Sequence, residues 1–223
     1  MNLLELKDLT REYTRGGRVF KAVDCVTLTI EPGDFISIIG RSGSGKSTLL
    51  NMSAGLIKPS GGNVFFNGTD IHTFNDKEIS FFRNKKIGFV PQGQSLLSNF
   101  TVLENVCMPW FLSKREGNPT ERAFALLEKT GINHLIDSYP KELSGGEMRR
   151  TVIARSLINN PVLLIADEPT GDLDVETTAE IMRVLAAIAQ EGTAVLIVTH
   201  ELDTISYGNK TYKMDNGNLS KYP

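Results

Sequence analysis

The chain has 223 residues, with 24 Lys and Arg against 26 Asp and Glu, and 40% of its residues are hydrophobic. This length suits one large domain or two small ones, and the apolar content excludes a mainly disordered chain. The formal net charge of -2 argues against a protein that coats nucleic acid or an anionic membrane. The two cysteines, Cys25 and Cys107, show no metal-ligand or redox spacing, which suits a reducing compartment.

Neither a signal peptide nor a membrane span is expected. Acidic residues interrupt the apolar residues at the N-terminus. The longest apolar stretch, 106–112, is far shorter than the roughly 18 residues of a spanning helix, and Pro109 is expected to interrupt it. We therefore expect a soluble, intracellular chain that would work at a membrane only through a partner.

The first third of the chain predicts strands, turns and one helix. Apolar alternation and short apolar runs predict strands at 4–9, 26–30, 35–39, 63–66 and 87–90. Turns are expected at Arg15-Gly16-Gly17 and, as part of a hairpin, at Asn67-Gly68. A helix is expected from Lys46 towards Ala54, shortly after the glycine that ends the strand at 35–39.

The middle of the chain is typical of helices. Asn118 fits an N-cap, Pro119 the first helical position and Gly131 the end of a helix. The side chains expected to face inward on this helix are Ala123, Phe124, Leu126 and Leu127. A second helix is expected to begin at Ser144.

Strand and helix patterns alternate again in the last third of the chain. The predicted elements are a strand at 162–166, a helix at 175–190, a strand at 194–198 and a hairpin at 210–219 around Asp215-Asn216-Gly217. Buried apolar strands that are separated by helices form parallel sheets covered on both faces. The sequence therefore predicts an α/β fold with a mostly parallel sheet.

A glycine-rich loop, Gly40-Arg41-Ser42-Gly43-Ser44-Gly45-Lys46-Ser47, fits the pattern G-x-x-x-x-G-K-[ST] between a predicted strand and a helix. Such glycines let backbone N–H groups surround phosphate oxygens, and the helix N-terminus adds positive potential. Lys46 would reach the β- and γ-phosphates, and the Ser47 hydroxyl would bind Mg²⁺. By chance the pattern arises in about one chain in a hundred of this length. A dinucleotide fingerprint fails because Thr48 stands where its last glycine belongs.

An acid pair, Asp167 and Glu168, ends the apolar run that begins at Val162. In a parallel sheet this end of a strand borders the phosphate loop. Asp167 can hold Mg²⁺ through water, and Glu168 can polarise an attacking water as a general base. An acid pair that ends a strand can also be a helix-start signal, but the upstream phosphate loop favours the catalytic interpretation.

The string Leu143-Ser144-Gly145-Gly146-Glu147 resembles the signature of ATP-binding cassette (ABC) proteins, and the resemblance extends over the whole chain. Tyr13 resembles the aromatic residue that stacks on adenine, and Gln92 the glutamine that senses Mg²⁺ and the membrane partner. Residues 172–174 resemble the loop that crosses the dimer interface, and His200 resembles the switch histidine.

The resemblance implies a full set of site residues. It implies nucleotide binding by Tyr13, Gly40, Arg41, Ser42, Gly43, Ser44, Gly45, Lys46, Ser47, Thr48, Gln92, Ser144, Gly145, Gly146, Glu147 and Asp174. It implies Mg²⁺ binding by Ser47, Gln92 and Asp167, and catalysis by Lys46, Glu168 and His200. ATP and Mg²⁺ are the cofactors it implies.

Each of these residues also has a plainer interpretation when it is taken singly. Ser144 and Glu147 form a capping box that any helix can use. Gln92 alone would be a solvated loop residue, His200 a surface or packing histidine, and Tyr13 a half-buried strand residue.

Four further positions bear on the family pattern. His72 and His134 match nothing in it and are expected at the surface. Met148 stands where glutamine is common, and Glu201 where aspartate is usual. Neither departure replaces a catalytic group, so we expect full ATPase competence.

The resemblance also implies the architecture. It predicts a single ABC nucleotide-binding domain over 1–223, a P-loop NTPase with a mostly parallel core sheet, an N-terminal antiparallel β subdomain and an inserted α-helical subdomain. The core is expected at 1–91 and 160–223, and the helical signature subdomain at 92–159.

The resemblance further implies a dimer and a membrane partner. Two chains, identical or different, would bind head-to-tail around two ATP molecules, each between Lys46 of one chain and Ser144 of the other. A separately encoded permease would hold the cassettes at the inner face of the cell membrane. No nucleic acid partner is expected.

Three stretches, 42–51, 96–106 and 166–174, look most like the macrolide-exporter and lipoprotein-release branch. Its members move lipoproteins, antimicrobial peptides or drugs, or serve other cell-envelope processes. The permease contact is expected among Leu96, Leu97, Phe100, Met108, Trp110, Phe111 and Leu112. Alternatively, these side chains pack only the core of the helical subdomain.

Other ABC branches stay open as alternatives. The chain could be an importer subunit, or a non-transport ATPase in DNA or ribosome processes. A DNA-organising ATPase would need a long coiled coil between Gln92 and Ser144, where only a short helical insertion fits. A translation-factor ATPase usually carries two cassettes in one chain, and this chain has one phosphate loop.

Overall fold

The computed structural model describes residues 2–93, 95–113 and 115–223. The helices and strands follow in chain order as β1 (Leu4–Arg15), β2 (Arg18–Ile30), β3 (Phe35–Ile39), α1 (Lys46–Ser53), β4 (Gly61–Phe66), β5 (Thr69–Asp70), α2 (Asp76–Lys86), β6 (Ile87–Val90), α3 (Val102–Leu112), α4 (Thr120–Lys129), α5 (Gly145–Leu157), β7 (Leu163–Asp167), α6 (Val175–Gln190), β8 (Ala194–Thr199), β9 (Lys210–Asp215) and β10 (Asn218–Lys221).

One sheet has the strand order β10-β9-β3-β8-β7-β6, and only its β10–β9 pair is antiparallel among the described residues. Strands β3, β7 and β8 are buried along their whole length, because their apolar side chains are covered on both faces. The mostly parallel α/β sheet predicted from the sequence is confirmed. The carboxyl ends of β3, β7 and β8 consequently meet at one edge.

Alternate residues of the central strands enter two different cores. Ile36 and Ile38 of β3 join the core that contains α1 and the N-terminal sheet, whereas Phe35 joins the core formed with α3 to α6. In the same way, Ile165 of β7 faces the first core and Leu164 the second. This period of two is what a strand between two apolar layers requires.

The second sheet is antiparallel, with the order β2-β1-β4-β5. The expected turn between β1 and β2 is present, with positive φ at Gly16 and Gly17. The expected Asn67-Gly68 hairpin turn joins β4 to β5 and also has positive φ at both residues. This sheet is the predicted N-terminal antiparallel β part.

The expected helix in the middle of the chain is α4, in which Asn118 Oδ1 accepts a hydrogen bond from Thr120 N at 3.0 Å. The inward prediction is wrong for Phe124, which is 41% exposed because its face of α4 lies outside the core. It holds for the other members of that set: Ala123, Leu126 and Leu127 are buried.

Pro109 does not interrupt the apolar stretch. It lies inside α3, and the helix continues past it to Leu112. The Pro109 carbonyl accepts hydrogen bonds from the side-chain amides of Asn84 (3.2 Å) and Asn159 (3.1 Å). These contacts hold the helix to α2 and to the end of α5. Tertiary contacts therefore outweigh the cost of a proline in the helix.

The two unassigned histidines differ in burial. His134 is exposed, as expected. His72 is half-buried rather than a surface residue, and burial lowers its pKa despite the nearby Asp70 carboxylate.

Two features bear on domains and membranes. Between 92 and 159 the described residues form α3, α4 and α5 and no strand. The division of the chain into a core and a helical subdomain stays a prediction. None of the helices formed by the described residues combines the length and apolar character that crossing a bilayer demands.

Candidate active site

The phosphate loop joins the carboxyl end of β3 to the start of α1. A Cβ atom at Gly45 would lie 2.0 Å from the Ala22 carbonyl oxygen, and one at Gly40 would lie 2.4 Å from the Met214 carbonyl oxygen. Gly45 also has a φ of 109°, which glycine adopts without strain. Only glycine fits these two positions, so the N–H groups of the loop and of the first turn of α1 remain directed at the space in front of the loop.

Lys46 is almost fully buried at the start of α1. Its Nζ donates hydrogen bonds to the carbonyl oxygens of Gly40 (2.7 Å) and Arg41 (3.0 Å). Burial lowers the pKa of Lys46, and the charges of Glu168 and Asp167 oppose that shift. The backbone of the phosphate loop thus holds the Lys46 ammonium group in place.

Ser47 and Asp167 are brought together from α1 and β7. The Ser47 hydroxyl donates to Asp167 Oδ1 at 3.2 Å. Burial raises the pKa of Asp167, whereas this hydrogen bond lowers it. A hydroxyl and one carboxylate beside a phosphate site match the hard oxygen ligands of Mg²⁺, which is usually held by one or two carboxylates and by phosphates. These two residues therefore fit a bound Mg²⁺.

Glu168 follows β7 in the left-handed backbone region, with a φ of 48°. Its N–H donates to the Val198 carbonyl oxygen at 3.0 Å, so β8 holds the backbone in a conformation that costs about 1–2 kcal/mol. Gln92 Nε2 donates to Glu168 Oε2 at 3.1 Å, and His200 Nδ1 lies 3.4 Å from Glu168 Oε1. The carboxylate is thereby placed between two of the predicted site residues.

Tyr13 reaches the same region from β1. A cavity of about 300 Å³ is lined by Tyr13, Phe20, Ala22, Ser42, Gly43, Gly45, Lys46, Ser47, Thr48, Gln92 and Glu168. It joins aromatic rings at one end to the phosphate loop and the Glu168 carboxylate at the other. Its shape and chemistry suit a base linked to phosphates.

Ser144 and its neighbours lie elsewhere. Ser144 caps α5: Glu147 N donates to Ser144 Oγ at 3.3 Å, and Glu147 Oε2 accepts from Ser144 N at 2.7 Å. The hydrogen bond from Ser144 N, with one from Ser144 Oγ to Glu147 Oε2 at 2.8 Å, lowers the pKa of Glu147. Within the residues that the structure describes, neither Ser144 nor Glu147 lines the cavity at the phosphate loop. Ser144 and Glu147 therefore cap α5, and the start of this helix is also exposed to solvent.

The start of α5 packs against the segment that leads into α6. A Cβ at Gly146 would lie 2.5 Å from Thr177 Cγ2, and one at Gly145 would lie 3.3 Å from Leu173 Cδ2. Asp174 caps α6, because its Oδ1 accepts from Thr177 N at 2.9 Å. The predicted signature and interface-loop residues thus form a second cluster, separate from the phosphate loop of the same chain.

Several contacts at the site were not predicted from the sequence. Arg149 Nη1 donates to the Pro91 carbonyl oxygen at 2.9 Å, which joins α5 to the loop of Gln92. Glu201 accepts a hydrogen bond from the Thr170 hydroxyl, which joins the loops after β8 and β7. Phe20 lines the cavity as the cross-strand partner of Tyr13. A hairpin register counted from Gly16-Gly17 would have found Phe20, but no local signal marks the other two contacts.

Comparison with known proteins agrees with this geometry. The family described as "ABC transporter" matches residues 23–171. The lipoprotein-releasing system ATP-binding protein LolD of Saccharophagus degradans is 40% identical over 221 residues, which cover 98% of this chain and 97% of that protein. The macrolide export ATP-binding/permease protein MacB of Chlorobium phaeobacteroides is 40% identical over 215 residues, or 96% of this chain and 33% of that protein.

Solved structures show the same likeness. The dimeric ATP-binding cassette MJ0796, in a post-hydrolysis state bound to ADP and Pi, superposes with a TM-score of 0.90 at 35% identity and covers 98% of both chains. The structure of cbiO1 from Clostridium perfringens, part of the ABC transporter complex cbiONQ, has a TM-score of 0.87 at 31% identity, and the match covers 98% of this chain and 87% of that chain.

Proposed function

We propose that this chain, which belongs to the ABC transporter family, closes as a head-to-tail pair around two ATP molecules and so drives a membrane permease. It is an ATP-binding and ATP-hydrolysing subunit of the type found in lipoprotein-releasing and macrolide-exporting transporters. The observation that carries the proposal is the split site. Lys46, Gln92 and Glu168 share one cavity, whereas Ser144 lies outside it on the exposed start of α5.

The residues in and beside the cavity have separate roles in ATP hydrolysis. Lys46 and the N–H groups of residues 40–48 bind the phosphates, and the Tyr13 ring stacks on the base. Ser47, Asp167 and Gln92 would hold Mg²⁺, which would neutralise phosphate charge. Glu168 accepts a proton from the attacking water, and His200 stabilises the γ-phosphate beside it.

The second cluster, at the start of α5, supplies a further binding site for the γ-phosphate. The start of α5 carries unpaired N–H groups and the positive end of the helix dipole, which suit a γ-phosphate. Because Ser144, Gly145, Gly146 and Glu147 cannot serve the phosphate loop of their own chain, a second cassette completes each site, with Asp174 at the interface. MJ0796 is dimeric in its solved structures. The second cassette is a copy of this chain or a related one.

The permease is proposed to contact α3 and the groove beside it. Phe111 and Leu112 at the end of α3 are 61% and 71% exposed. The groove is lined by Arg83, Asn84, Ile87, Phe89, Pro109, Arg155, Ser156 and Asn159. It lies between α2, β6 and α3, so a permease helix seated there would touch both the core and the helical part. That contact would hold the chain at the inner face of the membrane.

The other apolar residues expected at the contact divide between the two roles. Leu96 and Trp110 pack against the second core, in agreement with the packing alternative. Leu97 is exposed, whereas Phe100 and Met108 are half-buried. The proposed docking surface is therefore limited to Phe111, Leu112 and the groove.

The proposal is tested by Glu168→Gln. The variant keeps the hydrogen-bonding shape of the side chain but cannot accept the proton, so hydrolysis should fall by about 100-fold or more. With ATP and Mg²⁺ the pair should therefore persist, which light scattering coupled to size-exclusion chromatography measures. Glu128→Gln, an exposed change on α4, is the matched control. A Glu168→Gln chain that stays monomeric with ATP, or releases phosphate at the wild-type rate, contradicts the proposal.

A further inference from the structure

A guanidinium group covers one face of the Tyr13 ring. Arg11 Cζ lies 4.8 Å from the ring centroid, and Arg11 precedes Tyr13 by two residues on β1. Successive residues of a strand point to opposite faces, so residues two apart share a face. The contact has the geometry of a cation–π interaction, which arginine makes readily because its guanidinium is planar.

The guanidinium is itself anchored to the backbone. Arg11 Nη1 donates to the Lys58 carbonyl oxygen at 2.9 Å. Lys58 lies in the connection between α1 and β4, and α1 begins at the phosphate loop. Arg11 therefore links the Tyr13 ring to the connection that follows α1.

Tyr13 has a second aromatic neighbour. The Phe20 ring lies 6.0 Å away, centroid to centroid, and is tilted by 34°. Tyr13 and Phe20 line the cavity, whereas Arg11 does not, within the part of the chain that the structure describes. Arg11 therefore contacts the ring without being part of the cavity lining.

We propose that Arg11 is a positioning residue that holds the Tyr13 ring ready to stack on the base of the nucleotide. The inference rests on the proposed function, in which Tyr13 binds that base. A half-buried tyrosine near the end of a hairpin would otherwise lose side-chain freedom when the base binds. Fixing the ring beforehand removes that cost and strengthens binding of the base without a new contact to it.

The test compares a nucleotide with a diphosphate that lacks the nucleoside. Calorimetric titrations with ADP and with inorganic pyrophosphate, both with Mg²⁺, separate the contribution of the nucleoside from that of the phosphates. Arg11→Met keeps the length of the side chain but removes the cation, so it should raise the Kd of ADP about two- to fivefold. The Kd of pyrophosphate should not change. In ATPase assays KM should rise and kcat should stay constant, and Arg11→Lys should restore part of the loss.

A matched control lies on the same strand. Lys7 Nζ lies 4.8 Å from the centroid of the Phe65 ring, away from the cavity. Lys7→Met removes a cation that contacts an aromatic ring, as Arg11→Met does. It should leave the affinities for ADP and for pyrophosphate unchanged.

Tyr13→Ala, measured in parallel, distinguishes failure of the positioning role of Arg11 from failure of base stacking by Tyr13. If Tyr13→Ala weakens ADP binding and Arg11→Met does not, the positioning role of Arg11 is wrong while base stacking stands. If Arg11→Met weakens ADP and pyrophosphate equally, Arg11 supports the loop or the fold, and the inference is again overturned. If Tyr13→Ala leaves ADP affinity unchanged, base stacking by Tyr13 fails and the inference fails with it.

Discussion

Asp167 illustrates how a functional side chain is kept at a cost to the fold. It is 7% exposed, and its burial raises its pKa above the ordinary value although Lys46 and Arg149 lie near enough to oppose the shift. An acid with a raised pKa in the folded chain makes its full contribution to stability below its unfolded pKa. That contribution is lost as the pH rises through the folded pKa. At neutral pH the buried carboxylate therefore opposes folding.

Asp167→Asn should consequently raise the thermal unfolding midpoint of the nucleotide-free chain at pH 7. The gain should shrink as the pH falls towards 4, because protonation removes the same charge from the wild-type chain. ATP hydrolysis with Mg²⁺ should fall by about 100-fold or more, since the metal loses its carboxylate. Differential scanning calorimetry across pH and a phosphate-release assay check both parts. A lower midpoint at pH 7 would contradict this account of Asp167.

Residues of the phosphate loop and the acid pair could be predicted from the sequence because each motif is local. The backbone of residues 40–47 and the end of β7 are fixed by their own glycines and apolar strands. Arg11, Glu201 and Arg149 could not be predicted. Each acts through a partner from a distant part of the chain, such as Lys58, Thr170 or Pro91.

Among the elements, α2 and α3 show where sequence patterns fail. Helix α2 buries only Phe82 among its described residues, so it has no apolar stripe to reveal it. Its capping box of Asn75 and Glu78 was the available signal. In α3 the proline suggested a break, and nothing local indicated that Asn84 and Asn159 would hold Pro109 in the helix.

The exposed end of α3 is predicted to bind the permease. Replacing Phe111 and Leu112 together with serine removes exposed apolar surface and no buried contact, so folding and ATP binding should be unchanged. Recovery of the permease with a tagged chain from detergent-solubilised membranes should fall about tenfold, because two apolar anchors are lost. Quantitative mass spectrometry of the co-purified permease measures this loss.

The matched control is Phe124→Ser, which removes a 41% exposed aromatic residue from α4. It should leave permease recovery unchanged. Equal recovery with the double variant would place the permease contact elsewhere. A lower unfolding midpoint for that variant would instead favour the alternative that these residues pack the helical part.

At the scale of the whole molecule, the arrangement of the two clusters explains why a single cassette is incomplete. Parallel strands place Lys46, Asp167 and His200 at one sheet edge. The sequence predicted from strand ends that the acid pair borders the phosphate loop, whereas His200 was implied by the family resemblance. The exposed start of α5 lies apart from that cavity, and its capping hydrogen bonds join Ser144 and Glu147 of the same chain. Local patterns predict both clusters, and the family resemblance implies the second cassette. The separation of the two clusters within one chain gives the physical reason for it.

The most direct test of this central claim is to mix two inactive variants. Lys46→Ala lacks the phosphate contact, and Ser144→Arg blocks the facing helix start, so each alone should be inactive. In a head-to-tail pair made from one of each, one site contains both wild-type residues. An equal mixture should therefore recover ATPase activity, up to about a quarter of the wild-type rate for random pairing. A mixture no more active than its separate components would contradict the shared site.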